Sequence, residues 1–107
     1  MKLAMVLSSN NPETNWNAFR LANLALSKGD TVSVFLLGEG VEYGQVSSSK
    51  FNIKKQVEKF LQSENAQIIA CGTCLAIRKL GSTKECPEGN LEDWYRIVSE
   101  SDNVLTF

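Results

Sequence analysis

A chain of 107 residues leaves room for one domain and excludes a second. With 43% hydrophobic and 21% charged residues it can bury a real core, which excludes a disordered, fibrous or coiled-coil protein. Eleven basic against twelve acidic residues supply no field for a phosphate backbone, so no direct nucleic-acid contact is expected; the absence of histidine removes Ser-His-Asp and Cys-His catalysis and His-containing zinc sites together.

The chain opens on an apolar run, Leu3 to Leu7, that reads as a first strand: it is too short for a membrane span and lacks the small-residue cleavage site of a signal peptide. No window approaches the length of a membrane span, and a cytoplasmic protein is expected. A helix follows, with Asn11 as N-cap, Pro12 at the first helical position and Glu13 in the first turn; it ends at Lys28 and Gly29 and turns Trp16, Phe19, Ala22 and Leu26 inward. Val32 to Leu37 is the second strand. The stretch Gly38 to Lys50, with three glycines and Ser47-Ser48-Ser49, reads as a lid, a contact surface or a mobile loop. In the second helix Ile53, Val57, Phe60 and Leu61 share one face, with Lys54, Lys55, Glu58 and Lys59 opposite. Ile68 to Cys71 is the third strand, and its two isoleucines, pointing to opposite faces, place it inside the sheet. After the Cys71 to Gly81 segment, Asn90 caps a helix with Glu92 and Asp93 in its first turn and Leu91, Trp94, Tyr95 and Val98 as core or subunit contact. Val104 to Phe107 closes the chain as an apolar strand. Near-continuous apolar strands alternating with helices predict an α/β, three-layer sandwich with a four- to five-stranded, mostly parallel sheet, in which ligands gather beyond the carboxyl ends of the strands.

Chemistry concentrates in Cys71-Gly72-Thr73-Cys74, at the end of the third strand. With Thr73 as N-cap, Arg78 and Lys79 near the C-terminus and Gly81 as the left-handed stop, Cys74 falls in the first turn of a short helix, where unpaired N–H groups favour a thiolate. Four readings compete. Zinc needs four ligands, and with Cys86 one chain supplies at most three sulfurs, so a metal would require an oligomer. A thioredoxin-type pair would make Cys71 the nucleophile and call for a later cis-proline, yet Pro12 and Pro87 are the only prolines and neither precedes a plausible strand. Buried free cysteines are often plain small hydrophobes. The fourth reading comes from a family resemblance, taken up below. An odd cysteine count with two only three apart argues for reduced thiols. Cys86, between Glu85 and Glu88, reads as a spectator with a raised pKa. Ser8 to Thr14 is a weak phosphate cradle without glycine, Gly38-Glu39-Gly40 lacks the third glycine of a dinucleotide fingerprint, and Glu39 and Tyr43 are candidate shields for the cysteine.

The opening strand, the segment Ala70-Cys71-Gly72-Thr73-Cys74-Leu75-Ala76-Ile77-Arg78-Lys79 and the closing Asp102-Asn103-Val104-Leu105-Thr106-Phe107 resemble the DsrE/DsrF-like family of small sulfur-relay proteins, which includes subunits of the tRNA-thiolation sulfur relay. The resemblance covers nearly the whole chain and implies one such domain over residues 1–107. It further implies a trimer or hexamer and a small cytosolic sulfur carrier that accepts a persulfide sulfur on Cys74, a sulfurtransferase-type activity. Cys71 would then resolve the persulfide or pack under the turn, and Gly72, Thr73 and Arg78 would hold the transferred sulfur. Sulfur donor and acceptor proteins are the implied partners, with no cofactor, metal or membrane. In a closed ring the Gly38 to Lys50 loop of one subunit would lie near the Cys74 turn of another. The competing class is a non-catalytic oligomeric binding module whose cysteines are structural or hold a metal between subunits.

Overall fold

Apolar runs of four to six residues, too short to be helices of ordinary length, pair side by side into a single sheet. The computed structural model describes residues 1–107. Its strands are β1 (Lys2–Leu7), β2 (Thr31–Leu36), β3 (Ala66–Cys71), β4 (Glu88–Gly89) and β5 (Asn103–Thr106), in the order β4-β3-β2-β1-β5 with every pairing parallel. The helices are α1 (Pro12–Ser27), α2 (Ile53–Phe60), α3 (Gly72–Ile77) and α4 (Leu91–Glu100), and a 3-10 turn spans Gly38–Glu42. The expected α/β sandwich is therefore present, with two elements beyond the sequence reading. The two-residue β4 pairs Glu88 with Ala70 and Gly89 with Cys71, and the 3-10 turn orders the start of the supposed loop.

Alternation along the strands divides the core. Met5, Leu7, Val34, Leu36 and Ile68 pack with Phe19 of α1 and Phe60 of α2 in the larger cluster. Ala4, Phe35 and Ile69 face the other way, onto Ile97 of α4, with Trp94 and Cys71 at the margin. Both isoleucines of β3 are buried, as their placement on opposite faces requires.

Helix termini follow local chemistry. Asn11 accepts the Thr14 N–H at 3.0 Å and Pro12 opens α1, which stops at Lys28 before Gly29 turns left-handed. The expected inward stripe of α1 is displaced: Trp16 and Leu26 are half-buried, while Asn15 and Asn23 are buried. Asn23 gains its place by donating to the Gln56 carbonyl and side-chain oxygens at 3.0 and 2.9 Å, tying α1 to α2. Helix α4 also departs from its predicted stripe. Ile97 is its buried residue and Trp94 is half-buried, whereas Leu91, Tyr95 and Val98 are 75%, 72% and 38% exposed. The reason is architectural: α1 and α2 pack on each other over one face of the sheet, whereas α4 lies alone on the other and has no neighbouring helix to bury its second apolar row.

Candidate functional site

β3 passes into α3 with no intervening loop, so Cys71 is at once the last strand residue and the helix N-cap. Its Sγ accepts the Cys74 N–H at 3.4 Å, the role assigned from sequence to Thr73. Thr73 instead sits exposed inside the first helical turn, because the strand continues through Cys71 and starts the helix two residues early. The predicted stop at Gly81 moves as well. Lys79 takes the left-handed conformation at φ 54°, Lys79 N–H donates to Ala76 O at 3.0 Å, and Leu80 N–H donates to Leu75 O at 2.9 Å. That pair of bonds is a Schellman closure, and it occurs at Lys79 because the next residue, Leu80, packs into the same core cluster as Leu75.

Cys74 occupies the first turn of α3, as expected. Its Sγ accepts the backbone N–H of Gly38 at 3.1 Å. Gly38 begins the 3-10 turn at φ 54°, a backbone conformation natural to glycine. Gly40 lets the turn press against the end of β1, where a Cβ would fall 2.0 Å from Leu7 O. At the other end of the turn, Glu42 pairs with Arg78 Nε, and Arg78 Nη1 donates to Cys74 O at 3.2 Å. The ion pair thus joins the turn that supplies the N–H to the helix that carries the sulfur. Arg78 holds the Glu42 carboxyl below its usual range, and Glu42 raises Arg78 in return.

The three thiols differ in proton affinity. Burial pushes Cys74 up, but the Cys71 thiol, the Gly38 N–H and the Arg78 charge outweigh it, and the net direction is down. Cys71 moves up, through burial first and then through the proton it holds for Cys74. Cys86 is buried and pushed to about 11 by desolvation, with Glu85 adding to it, consistent with a spectator.

A cleft of about 890 Å³ opens beside this turn at the carboxyl edge of the sheet. Cys71, Gly72, Thr73 and Cys74 line it together, while Arg78 does not. Facing them are Trp94 and Phe35, whose rings stack at 5.4 Å and 8°. Tyr43 packs on Phe19 instead, and Glu39 is exposed, so the predicted shields give way to Gly38. Within one chain, the start of this loop already lies beside Cys74, through Gly38. Sequence reasoning missed Gly38, Glu42 and Trp94 as individual site residues, although it expects the Gly38 to Lys50 stretch beside a Cys74 turn. No three or more Cys, Asp or Glu side chains are grouped so as to hold a metal ion, and no helix is long and apolar enough to cross a membrane.

Comparison with known proteins agrees with this architecture. The chain is 33% identical over 101 residues to an uncharacterized protein of Methanopyrus kandleri, covering 89% of this chain and 83% of that one. It is 32% identical over 101 residues to an uncharacterized protein of Methanocaldococcus jannaschii, covering 89% and 88%. The crystal structure of the ychN protein from E. coli superposes with a TM-score of 0.80 at 23% identity over the whole of both chains, a likeness of fold. The DsrE/DsrF-like family profile matches residues 1–107 from end to end, and with the five-stranded parallel sheet beneath it the chain belongs to the DsrE/DsrF-like family.

Proposed function

We propose that the protein is a sulfur carrier that accepts a persulfide sulfur on Cys74, a role in keeping with the sulfur-relay associations of its family. The observation that supports this most directly is the Cys74 Sγ held by the Gly38 N–H at 3.1 Å at the wall of an open cleft. A fixed backbone donor of this kind stabilises a sulfur anion without moving during the reaction. The Cys74 thiolate attacks the terminal sulfur of a donor persulfide. The donor's S–S bond breaks, the donor leaves as a thiolate, and the terminal sulfur with its proton stays on Cys74 as a persulfide. An acceptor thiolate takes that sulfur by the same exchange, restoring the Cys74 thiolate, so no net oxidant or reductant is consumed. Gly72 and Thr73 flank the transferred sulfur, and Arg78 supplies positive charge from behind. In this reading Cys71 is the hydrogen-bond partner that tunes Cys74.

Donor and acceptor are proteins, the compartment is the reducing cytoplasm, and the carrier works as a homo-oligomer, a trimer or hexamer. The test is intact mass spectrometry after incubation with a persulfide donor. The wild type should gain the mass of one sulfur atom, Cys74→Ser should gain none, and Cys71→Ser should retain the gain. Equal loading of Cys74→Ser and wild type would refute the assignment.

A further inference from the structure

The electrostatics of the cleft restrict what can deliver sulfur to Cys74. No lysine or arginine lines it, whereas Glu88 and Glu92 both do, and neither is engaged in an ion pair. Glu88 closes on the floor, so near that a Cβ on Gly72 would stand 2.8 Å from its Oε2. The neighbouring Asp93 is occupied: it accepts the Asn90 N–H and pairs with Arg96. The one cation near Cys74, Arg78, lies outside the cleft and is paired with Glu42. Apart from Asn90 the remaining wall is apolar, formed by Trp94 stacked on the buried Phe35, by Leu37, and by Leu91, which is 75% exposed at the rim. An anionic sulfur compound therefore meets two unpaired carboxylates and a sulfur anion, while a cationic group beside the reacting sulfur meets attraction. The volume, about 890 Å³, is that of a pocket for a drug-sized ligand, more than a small aminothiol fills and room for a cysteine with one residue on either side.

We infer that the cleft receives a segment of a partner protein in which the sulfur-bearing cysteine is flanked by a basic and an apolar residue, and that it disfavours anionic donors such as thiosulfate. The inference rests on Cys74 being the nucleophile. Docking places the apolar side chain against Trp94, Leu37 and Leu91 and the cation near Glu88 and Glu92. It also sets a positive charge beside the thiolate that leaves the donor.

The test uses 2-thiopyridyl mixed disulfides of the blocked tripeptides Lys-Cys-Phe, Glu-Cys-Phe and Lys-Cys-Gly, and of cysteamine. In each, the Cys74 thiolate attacks the peptide sulfur, the S–S bond breaks, and 2-thiopyridone leaves and is followed by absorbance. Rates are normalised to those of N-acetylcysteine amide, and fragment mass confirms Cys74 as the site. Lys-Cys-Phe should outpace Glu-Cys-Phe by about fivefold at about 0.01 M salt, and the ratio should fall toward one at about 0.5 M salt, where the screening length is about a seventh as long, or in Glu88→Gln/Glu92→Gln. Replacing Phe by Gly in the peptide should slow the reaction about threefold. Equal Lys and Glu rates, or a ratio unmoved by the double variant, would overturn the charge preference; cysteamine matching Lys-Cys-Phe would overturn the peptide. Slow rates in every arm with the Lys preference intact would instead uphold the cleft and count against Cys74 as an activated nucleophile.

Discussion

The fate of each sulfur is decided by what it faces. Cys74 accepts from the Gly38 N–H and lies near Arg78, Cys71 caps the helix and leans on Cys74, and Cys86 is sealed beside Glu85. Because the Cys74 pKa is lowered, its thiolate is populated at a pH where an ordinary thiol is still protonated, and reactivity should rise earlier on a pH scale. Iodoacetamide alkylation of Cys74, followed from pH 5 to 10, should have its midpoint below the usual thiol value of about 8.5. Removing the Cys71 donor in Cys71→Ala should move that midpoint up, while Cys86→Ala should leave it in place. A wild-type midpoint at the ordinary value would contradict the stabilisation described. The placement of Cys74 was legible in the sequence because the helix ends proposed there, though shifted, still leave it in the first turn. The donor was not, since Gly38 stands 36 residues away and reaches Cys74 only through the β2–β3 pairing.

At the scale of elements, the 3-10 turn sets the site. It leaves β2, presses Gly40 onto Leu7 O at the end of β1, and is fastened to α3 by the pair of Glu42 and Arg78. Gly40→Ala forces a methyl group into backbone, so the turn must retreat. The expected cost is about 1–3 kcal/mol of stability, read as a lowered melting temperature, together with slower Cys74 alkylation at neutral pH as the Gly38 donor withdraws. Gly81→Ala is the control: open space surrounds the position and its φ is not left-handed, so stability should change by less than about 0.5 kcal/mol. The strands and the long helices could be read in advance because their periodicity and caps are local, as at Asn11 and Asn90. The ends of α3 could not. Its N-cap is decided by how far β3 stays paired, to β2 through Ala70 and to β4 at Cys71, and its C-terminal turn by the burial of Leu80, both consequences of tertiary packing.

The whole molecule is unevenly covered. Helices α1 and α2, with the short α3, mask one face of the sheet, α4 alone masks the other, and β5 is an edge strand with every residue exposed. Tyr95 and Val98 on the outer side of α4, with Val104 and Leu105 on β5, present apolar surface that the single chain does not bury. An unpaired edge and an uncovered helix face expose backbone donors and apolar carbon that a second copy can satisfy at once. That is the physical argument for the proposed homo-oligomer. Light scattering at micromolar concentration should give a multiple of 11.8 kDa. Tyr95→Glu should shift the mass toward the monomer while leaving the far-ultraviolet circular dichroism unchanged, because Tyr95 is 72% exposed. A mass near 11.8 kDa across that range would count against self-association. The Cys74 turn would stand in either case, since Gly38, Glu42, Cys71 and Arg78 all come from the same chain as Cys74.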